Sequence, residues 1–270
     1  MNRSVSFLLL VATMMSAASA ADDVMRAVSA TYKITNHDST ATAFLVSRQD
    51  SGDHSQLILV TAAHVIEKMS GDECRIVLRR RRLDGSYERR EIPIAIRADD
   101  QPLWTRHEKA DVAALKVQLP EDHEVIPFDY TRILDESQCD DCQLQMGDDV
   151  WVLGYPAQLE SSRSGFPVLR RGSVASFPVT PTGRKRTFMV DYSTFGGDSG
   201  GPVFMRTDPN SIRSKSDGDS SPKLVGLIHG QHRETTKSTT PNEERTVHRP
   251  MGLAIVVHAK FIRETIDRVK

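Results

Sequence analysis

Short β-forming runs recur along nearly the whole chain, many of them separated by Gly, Pro or Asp turns, and this punctuation limits the fold more than any other feature. A first set comprises residues 30–34, 42–46, 56–61, 75–79, 91–96 and 111–117. A second comprises residues 147–156, 168–175, 187–191, 202–204, 224–230 and 252–257. Asp84-Gly85 between two arms is a hairpin signal, and residues 65–68 suit a short helical turn. Residues 118–147, with Pro120 and Pro127, read as the connector between the sets, and residues 206–222 and 231–248 as polar excursions. At the end, Ile262, Ile266 and Val269 share one face at helical spacing, so residues 259–270 are expected to form a helix. The pattern predicts an all-β, two-barrel architecture with a C-terminal α-helix.

Within the second set, Gly196-Gly197-Asp198-Ser199-Gly200-Gly201-Pro202 places one hydroxyl among four glycines. Glycine admits positive φ and close approach of another molecule. If the chain curls here, the N–H groups of Gly197 and Ser199 point into one small space beside the hydroxyl, which is what a developing oxyanion requires. A glycine turn before a strand is the plain structural alternative.

Gly-Asp-Ser-Gly-Gly-Pro resembles the nucleophile loop of chymotrypsin/trypsin-like serine peptidases. Two further stretches match that family in order. Thr61-Ala62-Ala63-His64 resembles the segment carrying its histidine, and Asp111-Val112-Ala113-Ala114-Leu115 the segment carrying its aspartate. The resemblance spans roughly residues 30–262 and implies two six-stranded antiparallel β-barrels of chymotrypsin-like type, residues 21–135 with His64 and Asp111, and residues 136–270 with Ser199 and the terminal helix. It implies a serine endopeptidase acting on protein or peptide substrates through an acyl-enzyme. Ser199 would be the nucleophile, His64 the base, Asp111 its orienting partner, and the Gly197 and Ser199 amides the oxyanion hole. Gly-Tyr-Pro at 154–156 and Arg-Arg-Gly at 170–172 look most like bacterial trypsin-like peptidases.

The same resemblance assigns the walls of the specificity pocket to Ser193, Thr194 and Phe195 and to Ile228, His229 and Gly230. No acidic residue stands at Ser193, so an Arg/Lys preference is not expected. His229 either favours an acidic side chain or is a packed strand histidine. The chain departs from the family in two ways. No Ile-Val-Gly-Gly-like sequence opens the mature chain to supply an ammonium for Asp198, which must then find another partner. No cysteine follows His64, where Val65 stands. A catalytically silent trypsin-like barrel that binds peptides or a protein partner is the competing reading, and an esterase would use the same atoms.

Arg3, the apolar stretch 7–15 and Ala18-Ser19-Ala20 read as a signal peptide over residues 1–20, so the expectation is an exported protein, periplasmic or secreted, with no membrane association after cleavage. Export permits disulfides, and Cys139 and Cys142 can close a local bridge, leaving Cys74 over. With a formal net charge of −1 and 6% aromatic residues, nothing points to nucleic acid. The basic cluster around residues 79–90 reads as a solvated hairpin. Neither a cofactor nor a metal is expected.

Overall fold

The computed structural model describes residues 24–37, 39–49, 55–120, 123, 125–135, 144–179, 185–205, 222–240 and 243–270. The expected signal peptide, the Cys139–Cys142 pair and the excursion from residue 206 to residue 221 lie outside the described residues.

Residues 24–30 are helical (α1) and lead into β1 (Thr31–Asn36), β2 (Ser39–Gln49), β3 (Ser55–Thr61), α2 (Ala63–Lys68), β4 (Glu73–Arg81) and β5 (Tyr87–Ala95). Short strands β6 (Arg97–Ala98), β7 (Gln101–Pro102) and β8 (Thr105–Arg106) precede β9 (Ala113–Lys116) and β10 (Phe128–Asp129). The ladder of the first sheet runs β5-β4-β1-β2-β3-β9-β8, with β10 added to β2. The second half contains β11 (Asp149–Gly154), β12 (Val168–Val174), β13 (Thr187–Asp191), β14 (Pro202–Met205), β15 (Lys223–Thr240), β16 (Glu243–His258) and α3 (Ala259–Asp267). Its six strands close into a barrel in the order β11-β12-β13-β16-β15-β14. The expected β-rich architecture with a terminal helix is therefore present. The Asp84-Gly85 hairpin also forms, with Arg81 opposite Tyr87 and Gly85 at φ 81°.

The two halves share side chains. Successive residues of a strand point to opposite faces, and on β11, β14 and β15 the two faces serve different cores. Val150, Val152, Val203 and Val225 fill the barrel interior. Their neighbours Leu153, Phe204 and Leu224 belong to the core of the first sheet. Phe204 stands 6.3 Å from Phe128 and 5.9 Å from Trp151, and Phe128 in turn 6.3 Å from Phe44, a run of aromatic contacts across the seam.

Two features differ from the sequence reading. Residues 231–248 are not a loose excursion. They prolong β15 and β16 into a ribbon, paired from Arg233 opposite Pro250 to Thr240 opposite Glu243. The β-branched Thr235, Thr236, Thr239 and Thr240 suit a pleated strand although both faces are polar, so hydropathy alone hides it. Moreover, α3 follows the barrel in sequence but packs across the seam, against β8 and β9 as well as β15 and β16. Phe261, Ile262, Ile266 and Val269 join the core of the first sheet. Arg48 on β2 donates to the Ile266 and Val269 carbonyls at 2.5 and 3.2 Å, tying the helix end to the first sheet. Ile266→Ala is therefore expected to cost about 2–5 kcal/mol. Urea denaturation measures this, and a cost below about 1 kcal/mol would contradict docking of α3.

Candidate active site

His64 is the second residue of α2, directly after β3, and Asp111 stands in the bend that enters β9. β3 and β9 pair antiparallel with Thr61 opposite Ala113. That register carries the turn after β3 to the bend before β9. The His64 N–H donates to Asp111 Oδ1 at 2.8 Å, and Nδ1 meets Asp111 Oδ2 at 2.6 Å. Both oxygens of one carboxylate thus fix one histidine, which sets the imidazole's orientation and favours a proton on Nδ1.

A second imidazole joins this carboxylate. His229 Nδ1 lies 2.5 Å from Asp111 Oδ2, and the rings of His64 and His229 stand edge to face with centroids 5.6 Å apart. A register shift in β15 between Ile228 and Gly230 makes His229 a bulge residue, and bulges re-aim side chains. Its side chain is 41% exposed and engages Asp111, so it is not a packed strand histidine. The hydrogen bond that His229 gives to Asp111 raises the His229 pKa, against the opposing effect of its burial. For Asp111, burial opposes ionisation, but the hydrogen bonds from His229 and then His64 outweigh it and hold the carboxyl well below its ordinary range.

Ser199 is carried to the seam by backbone ties across it. Thr42 N–H donates to the Ser199 carbonyl at 3.0 Å, and Thr42 Oγ1–H to the Gly197 carbonyl at 2.7 Å. Gly200, at φ 85°, backs onto the strand leading to His64. A Cβ there would fall 2.2 Å from the Thr42 carbonyl oxygen and Thr61 Oγ1, and 3.1 Å from the Ala62 nitrogen. Gly197, at φ 100°, would likewise drive a Cβ to 2.1 Å from the Tyr155 carbonyl oxygen. Amides in the loop divide into two groups. Those of Asp198, Gly200 and Gly201 donate to the carbonyls of Phe195, Ile228 and Asp198. Those of Gly196, Gly197 and Ser199 donate to no group among the described residues, which leaves them open to solvent or a ligand. The Ser199 hydroxyl lies 3.5 Å from the His229 carbonyl, and no hydrogen bond joins it to the His64 ring.

The partner that Asp198 needs is Arg170, on β12. Arg170 Nη2 meets Asp198 Oδ2 at 2.6 Å, and Nη1 donates to the Ser193 carbonyl at 2.9 Å. The Phe195 N–H donates to the same Asp198 oxygen at 2.8 Å. Tyr192 lies under the guanidinium, 4.3 Å from its ring centroid. One arginine thereby ties the segment before the serine to the residue beside it. Arg-Arg-Gly was visible in the sequence, yet only the fold assigns the first arginine to a buried carboxylate. Thr42 gave no signal at all.

Of the expected pocket residues, Thr194 is buried and Phe195 is half-exposed beside Arg170. Ile228 points into the barrel core, so only its backbone faces the serine loop, while Gly230 has open space where a side chain would be.

Asp198 is fully buried, and burial raises its pKa against the lowering effect of Arg170. The folded protein therefore takes up this proton more readily than the unfolded chain, and the group's contribution to stability falls as pH rises through its folded pKa. Arg170→Ala leaves an unpaired buried carboxylate, at an expected cost of about 3–5 kcal/mol near neutral pH. The deficit against wild type shrinks as Asp198 takes up a proton in acid. Urea titrations at about pH 7 and about pH 5 check this. Equal deficits at both would assign the loss to another cause.

A trypsin-like peptidase domain model matches residues 41–208. No curated protein sequence matches the chain significantly. Among solved structures, a mutant of Rv3671c from M. tuberculosis H37Rv in an inactive form is similar at 17% identity. It matches over 92% of this chain and 89% of its own, with a TM-score of 0.46. Human heparin binding protein is similar at 15% identity over 90% and 91% of the two chains, with a TM-score of 0.48. With its family model spanning the histidine, aspartate and serine segments alike, the chain belongs to the trypsin-like peptidase domain family.

Proposed function

We propose that this protein is a serine endopeptidase whose nucleophile is Ser199. The observation that carries the reading is the bidentate hold of Asp111 on His64, on the same seam to which Thr42 ties the Ser199 loop. An unassisted hydroxyl is a weak nucleophile. With Nδ1–H committed to Asp111, His64 Nε2 is the nitrogen left to take the Ser199 proton and later hand it to the leaving amine. Asp111 stays ionised and stabilises the imidazolium formed in between. The carbonyl carbon under attack becomes tetrahedral, and its oxyanion is received by the unassigned amides of Gly197 and Ser199. One such donor is worth about 3 kcal/mol in a related chemistry. Catalytic hydrogen bonds are often long before substrate binds, which accounts for the hydroxyl resting against the His229 carbonyl. Export through the amino-terminal segment is part of the same proposal.

That resting position also favours a second reading, a silent barrel that binds peptides without cutting them. The two differ in one measurement. Purified protein is expected to be labelled at Ser199 by a fluorophosphonate probe and to cleave casein, with both lost in Ser199→Ala. Asp111→Asn is expected to lower turnover by about 10⁴-fold, because it leaves the base with the wrong tautomer. Labelling absent from wild type, or equal in Ser199→Ala, would overturn the peptidase reading.

A further inference from the structure

Two histidines and one aspartate converge at the foot of the proposed site, and general base chemistry uses only one of the histidines. His64, Asp111 and His229 each offer one ligand atom, and these atoms lie within 4.8 Å of one another. Both Nδ1 atoms point at the same carboxylate oxygen, at 2.6 and 2.5 Å. Side-chain exposures of 27%, 15% and 41% leave the trio open to solvent on one side. We propose that this trio is a binding site for a borderline divalent transition ion of the zinc type, and that occupancy switches the catalytic base off.

The donor set selects the ion. Two neutral imidazoles and a carboxylate, with a further position open to water, match three-ligand zinc coordination. Hard ions such as Mg²⁺ favour carboxylate, carbonyl and water oxygens instead. Tetrahedral bonds of about 2.0–2.2 Å place ligand atoms about 3.3 Å apart. The two nitrogen–oxygen separations are hydrogen-bond lengths, so each imidazole needs to part from the carboxylate oxygen by about 0.7 Å to admit the ion, while the two nitrogens already lie within 4.8 Å of each other. Rotation about side-chain bonds supplies that, and His229 sits on a bulge with open space beside Gly230.

Inhibition follows from the tautomer. An ion can bind Nδ1 only through its lone pair, so the Nδ1 proton of each neutral ring must move to Nε2 through water. Net charge on the rings is unchanged. His64 Nε2 then carries a proton and can no longer accept one from Ser199. The ion is a regulator here and takes no part in the reaction, in keeping with the absence of a cofactor from the proposed mechanism. The inhibitory half rests on His64 serving as the base, whereas the binding half does not.

Both halves can be measured separately. Co²⁺ added to the Ser199→Ala protein is expected to give tetrahedral visible absorption bands at one ion per chain. Affinity should fall by at least about tenfold in His229→Gln, and likewise in His64→Gln should the first variant fail to fold. Zn²⁺ should suppress fluorophosphonate labelling of the wild type, chelator should restore it, and Mg²⁺ should leave it unchanged. Measured against its own ion-free rate, His229→Gln should need at least about tenfold more Zn²⁺ for the same suppression. His248→Gln, on the exposed part of the ribbon, should not. If Co²⁺ gives no tetrahedral bands, or binds equally well in both histidine variants, the site is overturned. If Zn²⁺ suppresses His229→Gln as strongly as wild type, the assigned ligands are wrong. A wild type that binds Co²⁺ at this trio yet never labels supports the site and removes the peptidase reading, so the two failures are distinguishable.

Discussion

Strands β11, β14 and β15 give alternate residues to two different cores, and the position of the site depends on that sharing. Because Val203 must enter the barrel, Phe204 must leave it, and it leaves into the core of the first sheet. A shift of one residue in register would exchange the two sets. The seam is thus fixed by apolar burial on both sides. Hydrogen bonds laid across it, from Thr42 to Ser199 and Gly197, therefore meet at defined distances. Helix α3 acts from outside in the same way. It is the last element of the barrel half by sequence, yet its apolar face joins the core of the first sheet while also touching β15 and β16.

Two buried or half-buried aspartates do opposite work at this seam. Asp111 receives hydrogen bonds from His229 and His64, which overcome its burial and keep it ionised. Asp198 is fully enclosed, and burial prevails over the help from Arg170. The first is an electrostatic anchor for an imidazole. The second shapes backbone, since its oxygen takes the Phe195 N–H while its own peptide lies inside the serine loop. The His64 imidazole and the backbone around Ser199 thus rely on separate carboxylates.

Much of this was legible in the sequence where local pattern decides the outcome. The strand runs, the Asp84-Gly85 turn and the glycines at 197 and 200 follow from propensity and from backbone demand. His64 and Asp111 were legible as a pair only through resemblance, since the bend that joins them is set by the β3–β9 register. Arg170, Thr42 and the true place of His229 were not legible. Each depends on pairing between segments far apart in the chain, and in the case of His229 on a bulge, which leaves no compositional trace. The threonine-bearing ribbon of β15 and β16 escaped for another reason: its strands are polar on both faces, so periodicity in hydropathy vanishes.

The guanidinium that meets Asp198 is borne by an interior strand of the barrel. The ion pair therefore comes into being as the barrel closes, by the same event that aligns β12 with β11 and β13. A chain organised in this way carries inside the barrel itself the cation that braces the backbone before Ser199.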